Sequence, residues 1–472
     1  MLLGKMPRLS GSFGIQVFLA LAFLIAGCAD GPPTEPAPAN APTNAGKPIL
    51  GDESRGPGAD RPWHAADVNA YDSQVPLEWY DLAYRLVQSE RLSPPMASRV
   101  FGYAGVTLYE ALVPGMRGAA SLQGQLNGLH DLPRAGGRAY HWPVVANAAL
   151  AAALRGMFVG GSEATLAAID ALELETAESF TATLPAGIKK RSVDRGVEIA
   201  NAILAWAATD GLAELRNCAY TAPLGAGSWE PTPPAFAPAL EPCWGELRPF
   251  ALEKNNSCDP GPPPEFSDVE SSQFMAEAQE VFETSRGLTA EQATIARFWA
   301  DGAGQTGTPP GHSISIASQI LAGGGHPLDT AAETYAKVGI AVADGFISCW
   351  WSKYEYNLMR PITCIRKTLD ANWTPLIPTP PFPEYTSGHS VQSGAAAQVL
   401  TDLFGAISFT DHTHDVRGFA PRTFFDFFAA AEEAAVSRLY GGIHFRAAID
   451  RGVEQGRCVG RQVSALRMRT PS

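Results

Sequence analysis

The chain has 472 residues, with 35 Lys and Arg against 48 Asp and Glu, a formal net charge of −13 and 46% hydrophobic residues. No basic run interrupts the acidic balance, which argues against nucleic-acid binding and makes any local cluster of cations informative. The length is generous for one domain, yet linker composition is confined to a single stretch near the N-terminus.

Lys5 and Arg8 precede an apolar run from Phe13 to Ala26, which ends at Ile25-Ala26-Gly27-Cys28. The run is too short and too sharply ended for an ordinary spanning helix. Residues 1–27 are therefore expected to be a lipoprotein signal peptide, cut before Cys28, with lipidation at Cys28 anchoring the protein to a bacterial membrane. Ala29 after the cysteine resembles lipoproteins sent to the outer membrane, on the periplasmic or surface side; a plain secretory signal is the alternative. Residues 28–70 hold Pro32, Pro33, Pro36, Pro38 and Pro42 and are expected to form an extended Pro-rich tether. Residues 71–472 are expected to form one folded unit, in which no stretch reaches 18 apolar residues.

Helical patterns dominate that unit. Leu77 to Val87 is amphipathic, and Ser93-Pro94-Pro95 opens a helix running to Leu112. Further helices are predicted at 142–158, 163–180, 187–209, 268–283, 289–300, 313–322, 328–356, 389–404, 424–440 and 445–466. Strand alternation is scarce, so the fold class is all-α, a helical bundle. Pro- and Gly-rich segments at 221–265 and 374–384 are read as long internal connections. Besides Cys28, six cysteines remain: Cys218, Cys243, Cys258, Cys349, Cys364 and Cys458. In an exported protein they permit up to three disulfides. Cys218, Cys243 and Cys258 lie where a staple helps most, whereas Cys349 and Cys458 fall in helical runs and read as buried thiols.

Three strings carry the chemistry. Lys353 and Arg360, the latter followed by Pro361, are seven residues apart, which two turns of one helix would bring to one face. Thr386-Ser387-Gly388-His389 follows a proline-rich segment and precedes a predicted helix, so it sits where free amides and the helix dipole favour an anion. Ser437-Arg438 precedes His444, with Gly441-Gly442 breaking the helix between them. Each string alone is more often a solvated face or a cap. All three together supply cations, a hydroxyl, a glycine amide and two imidazoles, a kit for a tetrahedral oxyanion such as phosphate or vanadate.

The three strings resemble the signature K-x6-R-P, P-S-G-H, S-R-x5-H of the superfamily that joins vanadium-dependent haloperoxidases to type 2 phosphatidic-acid phosphatases. The surrounding text, including Pro380-Pro381-Phe382-Pro383-Glu384-Tyr385 and Phe298-Trp299-Ala300-Asp301-Gly302, is similar to the bacterial vanadium haloperoxidase-like branch. Thr386 replaces the proline of the second string. Phosphatase members also carry an Asp four residues after the last His; that position is Ala448 here, and the nearest Asp is Asp450, which weighs against the phosphatase reading.

The resemblance implies a helical bundle of the vanadium haloperoxidase and acid phosphatase type over residues 71–472. It implies that Lys353, Arg360 and Arg438 neutralise vanadate, that Ser387 and the Gly388 amide hydrogen-bond it, and that His444 is its direct metal ligand. His389 is then the acid/base that acts on hydrogen peroxide, with halide as the second substrate; iodide or bromide is favoured over chloride. Phosphate is expected to compete for the same site. The alternative is an acid phosphatase with His444 as nucleophile and His389 as the acid, and a third reading is a non-enzymatic envelope lipoprotein. Trp350 and Phe382 occupy places that line the halide side of the pocket in such enzymes, with core packing as the alternative. His312, in a Pro-Pro-Gly-His turn, reads as a cap or a pocket residue. His412 and His414 read as part of a solvated loop.

Overall fold

The computed structural model describes residues 67–181 and 184–469, and within them the chain forms fourteen α-helices and one two-stranded sheet. The expected signal peptide, Cys28 and nearly all of the tether lie outside the described residues. The folded part begins slightly earlier than expected, because Val68 is already buried in the core. No helix among the described residues is long and apolar enough to cross a membrane.

In chain order the helices are α1 (Gln74–Ser89), α2 (Pro94–Leu112), α3 (Trp142–Met157), α4 (Glu163–Thr181), α5 (Ala186–Ala207), α6 (Leu212–Leu215), α7 (Gln273–Arg286), α8 (Ala290–Phe298), α9 (Thr308–Gly324), α10 (Leu328–Tyr356), α11 (Pro361–Thr368), α12 (Gly388–Phe404), α13 (Phe427–Tyr440) and α14 (Arg446–Ser464). The Ser93 hydroxyl caps α2 by accepting from the Met96 amide, as its Ser-Pro-Pro start suggests. β1 (Phe409–Asp411) and β2 (Arg422–Phe424) pair antiparallel, with Phe409 opposite Phe424. Three residues are too few for alternation to register in the sequence.

The helix α10 is the central post. It packs on α2 and α12, and α12 packs on α14. Small residues set these crossings. A Cβ on Gly105 of α2 would stand 2.4 Å from the Tyr335 carbonyl oxygen of α10, and one on Gly456 of α14 would stand 2.1 Å from the Val391 carbonyl oxygen of α12. No side chain fits at either distance, so glycine permits the backbones to meet. The helices bearing the three chemical strings are thereby drawn into one region.

The irregular segment 221–265 is tied down from inside. Asp344, fully buried on α10, accepts hydrogen bonds from the amides of Phe250, Ala251 and Leu252 at 2.6, 2.7 and 3.1 Å. Burial pushes its carboxyl up to about 6, with the three amides opposing. Two disulfides complete the anchoring, Cys218–Cys243 and Cys258–Cys458. Cys458 is thus a bridge on α14, not the free thiol its helical setting suggested; Cys349 and Cys364 are buried free thiols.

Candidate functional site

Lys353 and Arg360 do not share a helix. The helix α10 ends at Tyr356, Asn357 takes the left-handed conformation with φ 48°, and Arg360 is the N-cap of α11. A turn, and not helical periodicity, brings the two cations together; Asn tolerates that φ, and Pro361 starts the next helix. Both side chains are fully buried. The Lys353 ammonium donates to the backbone carbonyls of Pro383, Glu384 and Thr386 at 3.0, 3.0 and 2.5 Å, which uses all three of its hydrogens. It therefore pins the 383–386 loop and offers the site its charge. Arg360 donates from Nε to the Phe382 carbonyl at 2.8 Å, and from Nη1 to the Ile443 carbonyl at 2.9 Å and to His444 Nε2 at 3.1 Å.

That loop delivers the second string. Ser387 is the N-cap of α12, its hydroxyl accepting from the Ser390 amide at 3.3 Å, so Gly388 and His389 open the helix where amides are free. A Cβ on Gly388 would lie 3.7 Å from both Phe346 and Trp350, on the cavity wall. The third string arrives as expected. The helix α13 ends at Tyr440, Gly442 turns with φ 76°, and His444 precedes α14. Arg438 donates from Nε to the Ser437 hydroxyl at 2.9 Å and from Nη2 to the Ala296 carbonyl at 3.1 Å.

Gly388, His389, Arg438 and His444 line one cavity of about 420 Å3, together with Trp350, Phe382 and Asp301. The Trp350 and Phe382 rings lie 4.9 Å apart, and Phe382 carries Arg360 and Lys353 at 4.8 and 4.9 Å from its ring centre. Both aromatics therefore pack in the core and face the cavity. Lys353, Arg360 and Ser387 are buried beside it.

Burial sets the protonation states. It lowers Lys353 to about 7 and Arg360 and Arg438 to about 10. It holds His444 well below its ordinary value, reinforced by Arg360, Lys353 and Arg438, and does the same to His389, reinforced by Arg438 and opposed by Asp301 and the Trp299 backbone carbonyl. Both histidines are neutral near pH 7, one suited to donating a lone pair and the other to accepting a proton. Arg360 Nη2 and His389 Nε2 are buried with no hydrogen-bond partner among the described residues. The buried, unsatisfied Arg360 Nη2 donor beside clustered cations fits an anion with several acceptor oxygens, and the His389 Nε2 lone pair is left free to take a proton. The residue set fits vanadate or phosphate.

Sequence reasoning missed four residues. Glu384, fully buried, places Oε1 2.8 Å from His444 Nδ1 and 2.8 Å from the Phe445 amide. Burial pushes its carboxyl up to about 8, against Arg360 and Lys353. Asp301, Asp411 and His414 build a second buried cluster. His312 lies within α9 and is not its cap: Nδ1 stands 2.8 Å from Asp301 and Nε2 2.7 Å from Asp411. Burial would lower His312, but the two carboxylates outweigh it and raise it to about 10. His414 is buried too, not in a solvated loop, with Nε2 3.1 Å from Asp301 Oδ1 but poorly aligned for a hydrogen bond. His412 is exposed and bonded to Asp415 at 2.8 Å. Ligand atoms of Asp301, His312 and His414 lie within 4.8 Å of one another. This cluster contains two carboxylates with Asp411, so it is a poor host for an oxyanion; it adjoins the three-cation site through Asp301, which lines the same cavity.

Residues 333–471 match the family described as the VCPO second helical-bundle domain. This range contains all three strings. A solved bacterial vanadium-dependent iodoperoxidase is 36% identical, covers 85% of this chain and 98% of its own, and superposes with a TM-score of 0.79. The chain belongs to the vanadium-dependent haloperoxidase family. The vanadium chloroperoxidase of Curvularia inaequalis is 31% identical over 128 residues, a match spanning 22% of this chain and 21% of the fungal protein. A bacterial vanadium-dependent chloroperoxidase in its holo form, at 16% identity, 80% and 94% coverage and a TM-score of 0.61, shares the vanadium haloperoxidase fold.

Proposed function

We propose that the protein is a vanadate-dependent haloperoxidase that uses hydrogen peroxide to oxidise a halide. The observation that carries this is the convergence of Lys353, Arg360 and Arg438 around a buried His444 whose Nε2 stands 3.1 Å from Arg360 Nη1. Vanadate, when bound, supplies a Lewis acid that polarises peroxide. Arg360 and Arg438 would hold its oxygens by hydrogen bonds, Lys353 would contribute charge, Ser387 and the Gly388 amide would donate, and His444 Nε2 would be the protein ligand. His389, neutral and with Nε2 unpaired, would take the proton that peroxide must lose and return it to the departing oxygen. Iodide or bromide is favoured over chloride. The Trp350 indole N–H is spent on the Leu240 carbonyl at 3.3 Å, so Trp350 and Phe382 offer the cavity apolar carbon, beside which a large, weakly hydrated halide loses less solvation than chloride. Purified protein loaded with orthovanadate and assayed for peroxide-dependent oxidation of iodide, bromide and chloride tests this; no oxidation of any halide would sink it.

A second reading, phosphate-monoester hydrolysis with His444 as nucleophile, is favoured by one observation. Glu384 supplies from another segment the acid that Ala448 lacks, and a histidine held at Nδ1 by a carboxyl presents a nucleophilic Nε2. Aryl phosphate hydrolysis by vanadate-free protein, without peroxidase activity after loading, would select it. We also infer export with lipidation at Cys28. Two disulfides support an oxidising compartment. Normal lipid labelling of a Cys28→Ser variant would overturn this.

A further inference from the structure

Hydrogen positions on His444 follow from its neighbours. A guanidinium can only donate, so the contact of Arg360 Nη1 with Nε2 at 3.1 Å requires a lone pair on Nε2. The proton of the neutral ring must then sit on Nδ1, which faces Glu384 Oε1 at 2.8 Å. The same Oε1 accepts the Phe445 amide at 2.8 Å, so it acts as an acceptor. Glu384 Oε2 is buried and unpartnered among the described residues. A proton taken up by the carboxyl would therefore reside there and leave Oε1 an acceptor. The glutamate is itself immobilised: its amide donates to the Leu358 carbonyl at 2.9 Å, and its carbonyl accepts from Lys353. Four residues beyond His444, Ala448 carries no acid, but its carbonyl accepts the Ser387 amide at 3.0 Å, fixing α14 to the loop that bears Glu384.

We propose that Glu384 is the positioning residue of the anion site: Oε1 holds His444 as the Nδ1–H tautomer and so keeps on Nε2 a lone pair, held by Arg360 Nη1 at 3.1 Å, that is yielded to the bound oxyanion. The proposal rests on the reading that His444 Nε2 is the ligand to vanadium. Glu384 does not touch the reacting atoms; it acts through the imidazole, as partners of ligating histidines do. A ring released from Oε1 can flip or move its proton to Nε2, and either removes the ligand.

Vanadate affinity, measured by calorimetry on the full chain, separates positioning from general structure. Glu384→Ala leaves Nδ1–H and the Phe445 amide without an acceptor, and should weaken vanadate binding by about 10–100-fold. Glu384→Gln keeps a side-chain oxygen able to accept both hydrogens and should recover most of that affinity. Histidine 15N spectra, assigned with a His444→Gln variant, read the tautomer without any vanadium: wild type and Glu384→Gln should show Nδ1–H, and Glu384→Ala a mixture. Should Glu384→Ala fail to fold, Glu384→Gln and Glu384→Asp carry the comparison. Aspartate withdraws the acceptor by one methylene and should bind more weakly than glutamine. Equal affinity in wild type and the variants, an unchanged tautomer on losing the acceptor, or a glutamine variant as weak as the alanine or aspartate variant overturns the proposal. Failure of wild type to bind vanadate would instead overturn the functional reading, leaving the tautomer result to be judged alone.

Discussion

The indole of Trp299 and the imidazole of His312 lie face to face, with centroids 4.4 Å apart and planes 18° from parallel. Both nitrogens of that imidazole face carboxylates, so the ring needs a proton on each and is an imidazolium. A cation stacked on an indole gains further attraction. Trp299 also presents its carbonyl to His389. The buried ion cluster thus stiffens the wall on which the proposed acid/base rests, and Asp301 joins the two by lining the cavity itself.

The cluster should leave its mark on the pH dependence of stability. The Asp301 and Asp411 carboxylates raise His312 from 6.5 to about 10, so its contribution is complete below 6.5 and fades as pH rises through 10. Asp411 is lowered from 3.8 to about 2, so its contribution is complete above 3.8 and fades as pH falls through 2. Asp411→Asn breaks a buried pair, a loss of about 3–5 kcal/mol, and should lower Tm by a few degrees. The gap should be widest between these two ordinary values and narrow at either extreme. Thermal unfolding followed by circular dichroism across pH checks this; a gap of constant size would rule out titration of the pair as its cause.

Phosphate should compete with vanadate. Both are tetrahedral oxyanions, and the site selects by charge and hydrogen-bond donors from Arg360, Arg438 and the start of α12. Peroxidase activity at fixed vanadate should fall as phosphate is added and return with more vanadate. Loss of activity to a divalent-cation chelator with indifference to phosphate would contradict the oxyanion site.

The two disulfides should differ in value. Cys258–Cys458 closes a sequence separation of 200, and Cys218–Cys243 one of 25. Loop entropy alone makes these about 5 and about 3.5 kcal/mol. Paired serine replacements at 258 and 458 should lower stability to denaturant more than those at 218 and 243. An equal loss would mean that strain or residual structure in the unfolded chain dominates.

Much of this was legible because local rules agreed with the fold. Ser93 and its prolines marked a helix start, Gly441-Gly442 a break, and 328–356 a helix with the same bounds in the structure. The residues of the anion site were legible as types and order. Their supports were not. Glu384 reads as a loop acid until His444, 60 positions on, is placed against it. His414 looks solvated because its neighbours are polar; its burial depends on Asp301 and Phe298, more than a hundred residues away. The turn at Asn357 hid behind a spacing that helical periodicity also explains. Pairings across long separations are properties of packing, and the sequence carries no local trace of them.

The two histidines of the site should fail differently when removed. His444→Ala deletes the lone pair facing Arg360 and with it the proposed ligand to vanadium, so binding itself should be lost even with excess vanadate. His389→Ala leaves Lys353, Arg360, Arg438 and His444 in place, and none of the hydrogen bonds that hold them passes through His389. That variant should bind vanadate, somewhat more weakly, and turn over slowly. General acid–base help is worth about 10²–10⁴ in rate, so kcat should fall on that scale while the vanadate Kd changes far less. Vanadium NMR or calorimetry measures binding, and peroxide-dependent iodide oxidation measures turnover. Normal vanadate binding by His444→Ala together with none by His389→Ala would reverse the two assignments.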